Sequence, residues 1–208
     1  MKPLLSATLG AALLGAGVAA ATEAPSPTVP VAPTIVRGAI AQISANVVKI
    51  RTRDGKLLAI ALAPDWNVQV TKPVTLDAIQ PGSFIGTAEM PQANGSGRSL
   101  EVHVFPPGVK LGEGHYGWDL RKGSMMTNGT VGKVLPGAHR TREIDVSYAT
   151  GTRHIVVPAN VPIVQITPGA RDMARPGVSV FLIAVKTPSG ALATNGLAIG
   201  EGGRAPPM

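Results

Sequence analysis

The feature that most constrains this chain is an internal repeat. The stretch RTRDGKLLAIALAPDWNVQVTKP recurs in outline as SYATGTRHIVVPANVPIVQITPG. Aligned without a gap, Gly55 falls on Gly151, and Val68-Gln69-Val70-Thr71 falls on Val164-Gln165-Ile166-Thr167. Further on, Asp77 falls on Asp172 and Pro81-Gly82 on Pro176-Gly177. Any β-rich chain repeats Gly and Val, but a shared VQ[VI]T followed by D-x-x-x-P-G in the same order points to a duplicated structural unit.

Each unit reads mainly as strands. Ile43 to Thr52 and Glu143 to Tyr148 are β-branched runs with partial alternation. Asp54-Gly55 is a hairpin signal, because glycine accepts the positive φ of a tight turn, and Thr150-Gly151 takes its place in the second unit. Pro64 and Pro158 interrupt the next strand, so a bulge or bend is expected there. TLDAIQPG and ARDMARPG each read as a helical turn stopped by Pro-Gly. Strands at Ser83 to Glu89 and Arg98 to Phe105 follow in one unit, and at Val178 to Lys186 and Ala191 to Ile199 in the other. Three strands, a short helix and two strands fit an OB-like five-stranded Greek-key barrel. The expected fold is therefore all-β, with two tandem OB-like barrels each carrying one short helix. The alternative is a single β-sandwich.

The ends suggest export. Lys2 precedes an uncharged run of small apolar residues, Leu4 to Ala21, ending in Ala19-Ala20-Ala21, which reads as a signal peptide over 1–21. No later run of 18 apolar residues occurs, so no membrane span is expected after signal removal. A proline-rich linker at 22–34 is followed by the first barrel unit at 35–105. A glycine-rich aromatic connector spans 106–128, the second unit 129–200, and a disordered tail 201–208. A periplasmic or secreted location follows.

The chain has no cysteine, which excludes disulfides, thiol catalysis and thiolate metal sites. The net charge of +7 suits an anionic surface or an envelope partner, although the basic residues are scattered and also serve solubility.

Aromatics make up only 3% of the residues, yet Phe105, Tyr116 and Trp118 cluster around the connector, with Met125 and Met126 close behind. The reading preferred for these five is packing at the seam between the units. The second reading is a divalent or copper ion held by His103, His115, Glu101, Glu113 and Asp119, with methionine thioethers as further ligands for cuprous ion. Glu101 and His103 are two apart, so they share a strand face, and Glu113 and His115 repeat that spacing. No diagnostic metal motif accompanies them.

The run GEGHYGWDLRKGSMMTN carries a W-D-L motif at Trp118-Asp119-Leu120 and an M-T-N motif at Met126-Thr127-Asn128. On these motifs the chain resembles a family of exported alphaproteobacterial proteins with small OB-like domains of unknown function. Members are often labelled metal ABC transporter permeases. The resemblance implies an exported accessory near metal uptake, since a permease needs several membrane spans. It brings no catalytic residues to transfer.

Other chemistry is thinly supported. Ser147, His154 and Asp145 are candidates for a hydrolase, but no G-x-S-x-G elbow is present. Nucleic acid is not expected as a partner, because stacking platforms on the strands are few. The function expected is that of an exported, non-enzymatic binding or scaffold protein without a cofactor. The alternative is a metal-binding accessory, and a hydrolase ranks last.

Overall fold

The computed structural model describes residues 33–208. The expected signal peptide, and all but the last two residues of the expected linker, lie outside the described residues. Twelve strands form: β1 (Thr34–Ile43), β2 (Val47–Thr52), β3 (Leu57–Pro73), β4 (Phe84–Pro91), β5 (Gly97–Val104), β6 (Gly114–Gly117), β7 (Met125–Pro136), β8 (Arg142–Tyr148), β9 (Gly151–Val157), β10 (Ile163–Gly169), β11 (Ser179–Lys186) and β12 (Leu192–Gly200). Helical structure among the described residues is limited to 3₁₀ turns, including Leu76–Ala78 and Arg171–Met173 at the two expected positions. Pro-Gly stops each as expected, with Gly82 and Gly177 at φ 84° and 87°.

The chain is all-β and contains a closed five-stranded barrel with further strands outside it. The barrel closes through the pairings β1–β2, β2–β3, β3–β12, β12–β11 and β11–β1. The β3–β12 pairing is parallel and the other four are antiparallel. Inward-facing Val36, Ile40, Val48, Ile50, Ile60, Leu182 and Leu197 fill it. A second circuit of pairings joins β7–β8, β8–β9, β9–β5, β5–β4 and β4–β7, with β9–β5 the parallel member. It has its own core, including Ile85, Val102, Val131, Ile144, Val146 and Ile155. Burying one such side chain contributes about 1.5–3 kcal/mol, so each circuit has a driving force of its own.

These pairings correct the expected arrangement. Neither circuit is built from one consecutive stretch: β1–β3 close with β11 and β12, and β7–β9 close with β4 and β5. Alternation fixes which face of a strand is buried, but it does not choose between two similar partners far away in sequence. The two circuits join through β10, which pairs with β5 of one and with β3 of the other. There the copies of the repeated tetrapeptide meet, Val70 opposite Thr167 and Thr71 opposite Ile166.

Three smaller expectations also change. The first hairpin has Thr52 N–H on the Lys56 carbonyl at 2.9 Å with Gly55 at φ 83°, whereas the second sets Gly151 in a strand opposite Tyr148. The gapless match of Gly55 with Gly151 therefore does not hold in space. The connector is partly strand: β6 pairs with β7, and Met125 to Asn128 already belong to β7. The last residues are not a loose tail, because Pro206 and Met208 are buried and Arg37 Nε donates to the Met208 oxygen at 2.6 Å.

Candidate functional site

Strand β5 sets Glu101 and His103 on one buried face, as their spacing predicts. Glu101 Oε1 accepts the Ala88 N–H at 2.8 Å, and Oε2 lies 3.2 Å from His103 Nδ1. The imidazole packs edge-on against Phe105 with centroids 5.2 Å apart, and Phe105 packs the same way on Phe84 at 5.4 Å. Gly86 on β4 makes the space for this layer, since a Cβ there would overlap both the His103 ring and the Asn128 amide.

The β6–β7 hairpin places Tyr116 opposite Met126 and Gly114 opposite Asn128. Asn128 Nδ2 donates to the Gly112 carbonyl at 2.8 Å and to the Tyr116 hydroxyl at 2.9 Å. A carbonyl only accepts, so the amide orientation is fixed and Oδ1 must face away. That Oδ1 is buried without a hydrogen-bond partner. Burial raises the Tyr116 phenol above its ordinary value of 10.0, and the Asn128 bond partly offsets this.

Trp118 follows β6 and packs on Phe181 of β11 at 6.3 Å and on Tyr116 at 6.4 Å. The Arg37 guanidinium lies 5.8 Å from the Trp118 ring and 5.4 Å from the Phe181 ring. Arg37 also pairs with both Asp119 carboxylate oxygens, at 2.9 and 2.8 Å. The indole Nε1 is buried and has no acceptor. An unmade hydrogen bond at a buried polar atom costs about 1–3 kcal/mol, so two in one place need an explanation.

Both residues line a cavity of about 140 Å³ at the junction of the two circuits. His103, Phe105 and Met126 line it from one circuit, and Phe181 and Ile183 from the other. Ile166 of the joining strand and Met208 complete it. Leu111, Tyr116 and Ile183 also line it and are exposed large apolar residues. A larger recess of about 760 Å³ lies elsewhere, beside the Arg142–Asp77 ion pair, but none of the sequence-predicted residues lines it.

The five candidate metal ligands do not converge. Glu101 and His103 pair beside the cavity, whereas Asp119 is taken by Arg37 and Glu113 is exposed. His115 shares a 2.8 Å hydrogen bond with Thr127 Oγ1, stacks on Tyr148 at 6.1 Å and lies 3.8 Å from Glu89 Oε1. Among the described residues no three His, Cys, Asp or Glu side chains are grouped to hold a metal. Of the five packing residues, Phe105 and Met126 are buried, Met125 and Trp118 half-buried, and Tyr116 exposed over 38% of its surface. Asp145 and His154 do meet, at 2.9 Å across β8 and β9, but Ser147 shares its hydrogen bond with Thr152 at 3.1 Å.

Glu89 carries no motif or spacing that marks it out in the sequence. It is fully buried, and Arg153 Nε donates to its Oε1 at 2.7 Å while Oε2 is left without a partner. Burial raises its carboxyl above the ordinary 4.5, against the opposing pull of Arg153. Burial and then Arg153 lower the His115 imidazole below 6.5. Asn128, by contrast, stood in a motif already noted, so attention to its amide would have found it.

Neither a family model, nor a curated protein, nor a solved structure matches the chain.

Proposed function

We propose that the protein is an exported, non-enzymatic binding protein whose junction cavity takes a ring-sized apolar group bearing a hydroxyl. The observation that carries this is the pair of unpartnered buried atoms, Trp118 Nε1 and Asn128 Oδ1, on residues lining one apolar cavity of about 140 Å³. An apolar cavity of roughly 150 Å³ holds a benzene-sized molecule. A hydroxyl both accepts and donates, so it matches an N–H donor and a C=O acceptor together. On this reading the two strand circuits are OB-like barrels from one duplicated unit that exchanged their last hairpins. The strand order in both circuits and the meeting of the two repeated tetrapeptides support it.

Phenol is the test ligand. Titration into the isotope-labelled protein shifts the Trp118 indole N–H resonance saturably. Ile183→Phe, a change at an exposed lining residue, abolishes the shift without unfolding the protein. An indole resonance indifferent to millimolar phenol rejects the reading.

A second reading, a metal-binding accessory, draws on the same cavity. It is lined by one imidazole, that of His103, and by two thioethers, Met126 and Met208, a set suited to cuprous ion. The carboxylate of Glu101 behind His103 is the kind of partner that orients a metal-ligating imidazole. Cuprous-ion titration against a competing chelator tests it, with Met126→Leu and His103→Ala expected to abolish binding.

A further inference from the structure

The outer wall of the barrel carries a separate basic surface. Val48 and Ile50 of β2 point into the core and are fully buried. Lys49 and Arg51 therefore point outward, because side chains alternate along a strand. Arg51 and Arg53 line a cleft of about 320 Å³ together with Arg37, Ser179 and Pro206. Gly38 and Ala39 of β1 also line it, opposite Thr52 and Arg51 of β2. No carboxylate lines this cleft. Asp119 is held by Arg37, and Asp54, next to Arg53 in sequence, is held by Lys56 at 2.8 Å and by the Thr52 hydroxyl. Among the described residues neither Arg51 nor Arg53 has an ion-pair or side-chain hydrogen-bond partner. A second recess, of about 570 Å³, shares Arg53 and adds Arg204, with no Asp or Glu side chain in its lining. The cleft shares only Phe181 with the junction cavity.

Two unpaired guanidinium groups facing a recess without acids form a field for an anion. Guanidinium presents a planar fork of donors that matches phosphate oxygens in pairs, and the +7 net charge of the chain adds to the attraction. A cleft of this volume suits one phosphate-bearing group rather than a flat lattice of charges.

We infer that the cleft between Arg51, Arg53 and Ser179 binds a phosphate or diphosphate group, either free in solution or carried on a lipid.

The test uses the full chain and two probes. Pyrophosphate is titrated calorimetrically at physiological salt. Phosphatidylcholine vesicles containing phosphatidic acid are used in a sedimentation assay, with pyrophosphate as competitor. Arg51→Gln/Arg53→Gln weakens binding by about tenfold or more, as expected for the loss of charge-assisted hydrogen bonds. Lys110→Gln/Lys133→Gln, which removes the same charge elsewhere, leaves it unchanged. Saturable pyrophosphate binding alone identifies a soluble source. Vesicle binding displaced by pyrophosphate identifies a lipid source. Binding of neither probe, vesicle binding that pyrophosphate does not displace, or an equal loss in the lysine variant overturns the assignment.

Discussion

Arg37 grips Asp119 with two guanidinium nitrogens, at 2.9 and 2.8 Å, across 82 residues of sequence. Arg37 sits on β1 of the barrel, and Asp119 follows β6, the edge strand that pairs with β7 of the other circuit. The same guanidinium covers the rings of Trp118 and Phe181, so one side chain holds the connector on the barrel wall by charge and by stacking. Asp119 is half exposed, which screens the pair. Asp119→Asn should cost about 1 kcal/mol or less, measured as a small drop in denaturation midpoint, with a red shift in Trp118 emission. Arg37→Ala removes the packing as well and should cost clearly more.

Met126 is almost fully buried beside the junction cavity. Met126→Ala enlarges a space that already exists, and the loss should be about 2–5 kcal/mol in chemical denaturation. Met126→Leu, which keeps the volume, should cost less than about 1.5 kcal/mol. Equal losses in both would show that the position is not packed as described.

Gly97 faces the Glu89 carboxylate, and a Cβ at that position would overlap it. Gly97→Ala must displace a buried acid from Arg153, and should cost about 1–3 kcal/mol. A stability equal to that of the parent protein would mean that Glu89 is free to move away.

His115 and Glu89 give opposite pH dependences. The His115 imidazole is lowered in the folded protein, so the unfolded chain takes up the proton first as pH falls through 6.5. Its contribution is complete above that value and fades as pH drops through the folded one. The Glu89 carboxyl is raised, so its contribution is complete below 4.5 and fades as pH rises through the folded value. Denaturation midpoints taken between about pH 8 and pH 5.5 should therefore fall less in His115→Gln than in the parent protein. A parallel fall in both would exclude His115 as the source.

The pairing scheme predicts the behaviour of a chain cut in the connector. A protease site inserted after Gly108, an exposed turn residue at φ 80°, yields fragments that share both circuits. The fragments should co-elute as one particle and separate only in denaturant. Separation in native buffer would fit barrels built from consecutive stretches and contradict the pairings.

Much of the local structure was legible in the residues. Proline-glycine and aspartate-glycine turns punctuate the chain where the signals say, because a positive φ is met most readily by glycine, as at Gly55, Gly82 and Gly177. The two-apart spacing of Glu101 and His103 did predict a shared face. The same spacing failed for Glu113 and His115, because β6 begins only at Gly114, so Glu113 lies in water before the strand while His115 bonds Thr127. Partner choice was not legible. Strands β4 and β11 are both short apolar runs after a Pro-Gly turn, and either could satisfy β1 or β7 by pattern alone. Glu89 was missed for a related reason: an isolated acid in a strand looks like a solvent-facing residue until its neighbours are known.

Because β11 and β12 supply the last two staves of the barrel that begins with β1, that barrel cannot finish until residues near 200 have emerged. Its first three strands wait, open-edged, through more than a hundred residues of synthesis. Contacts so distant in sequence slow folding and leave strand edges available for wrong partners. A chain of this layout gains from being kept unfolded until its whole length is in one compartment.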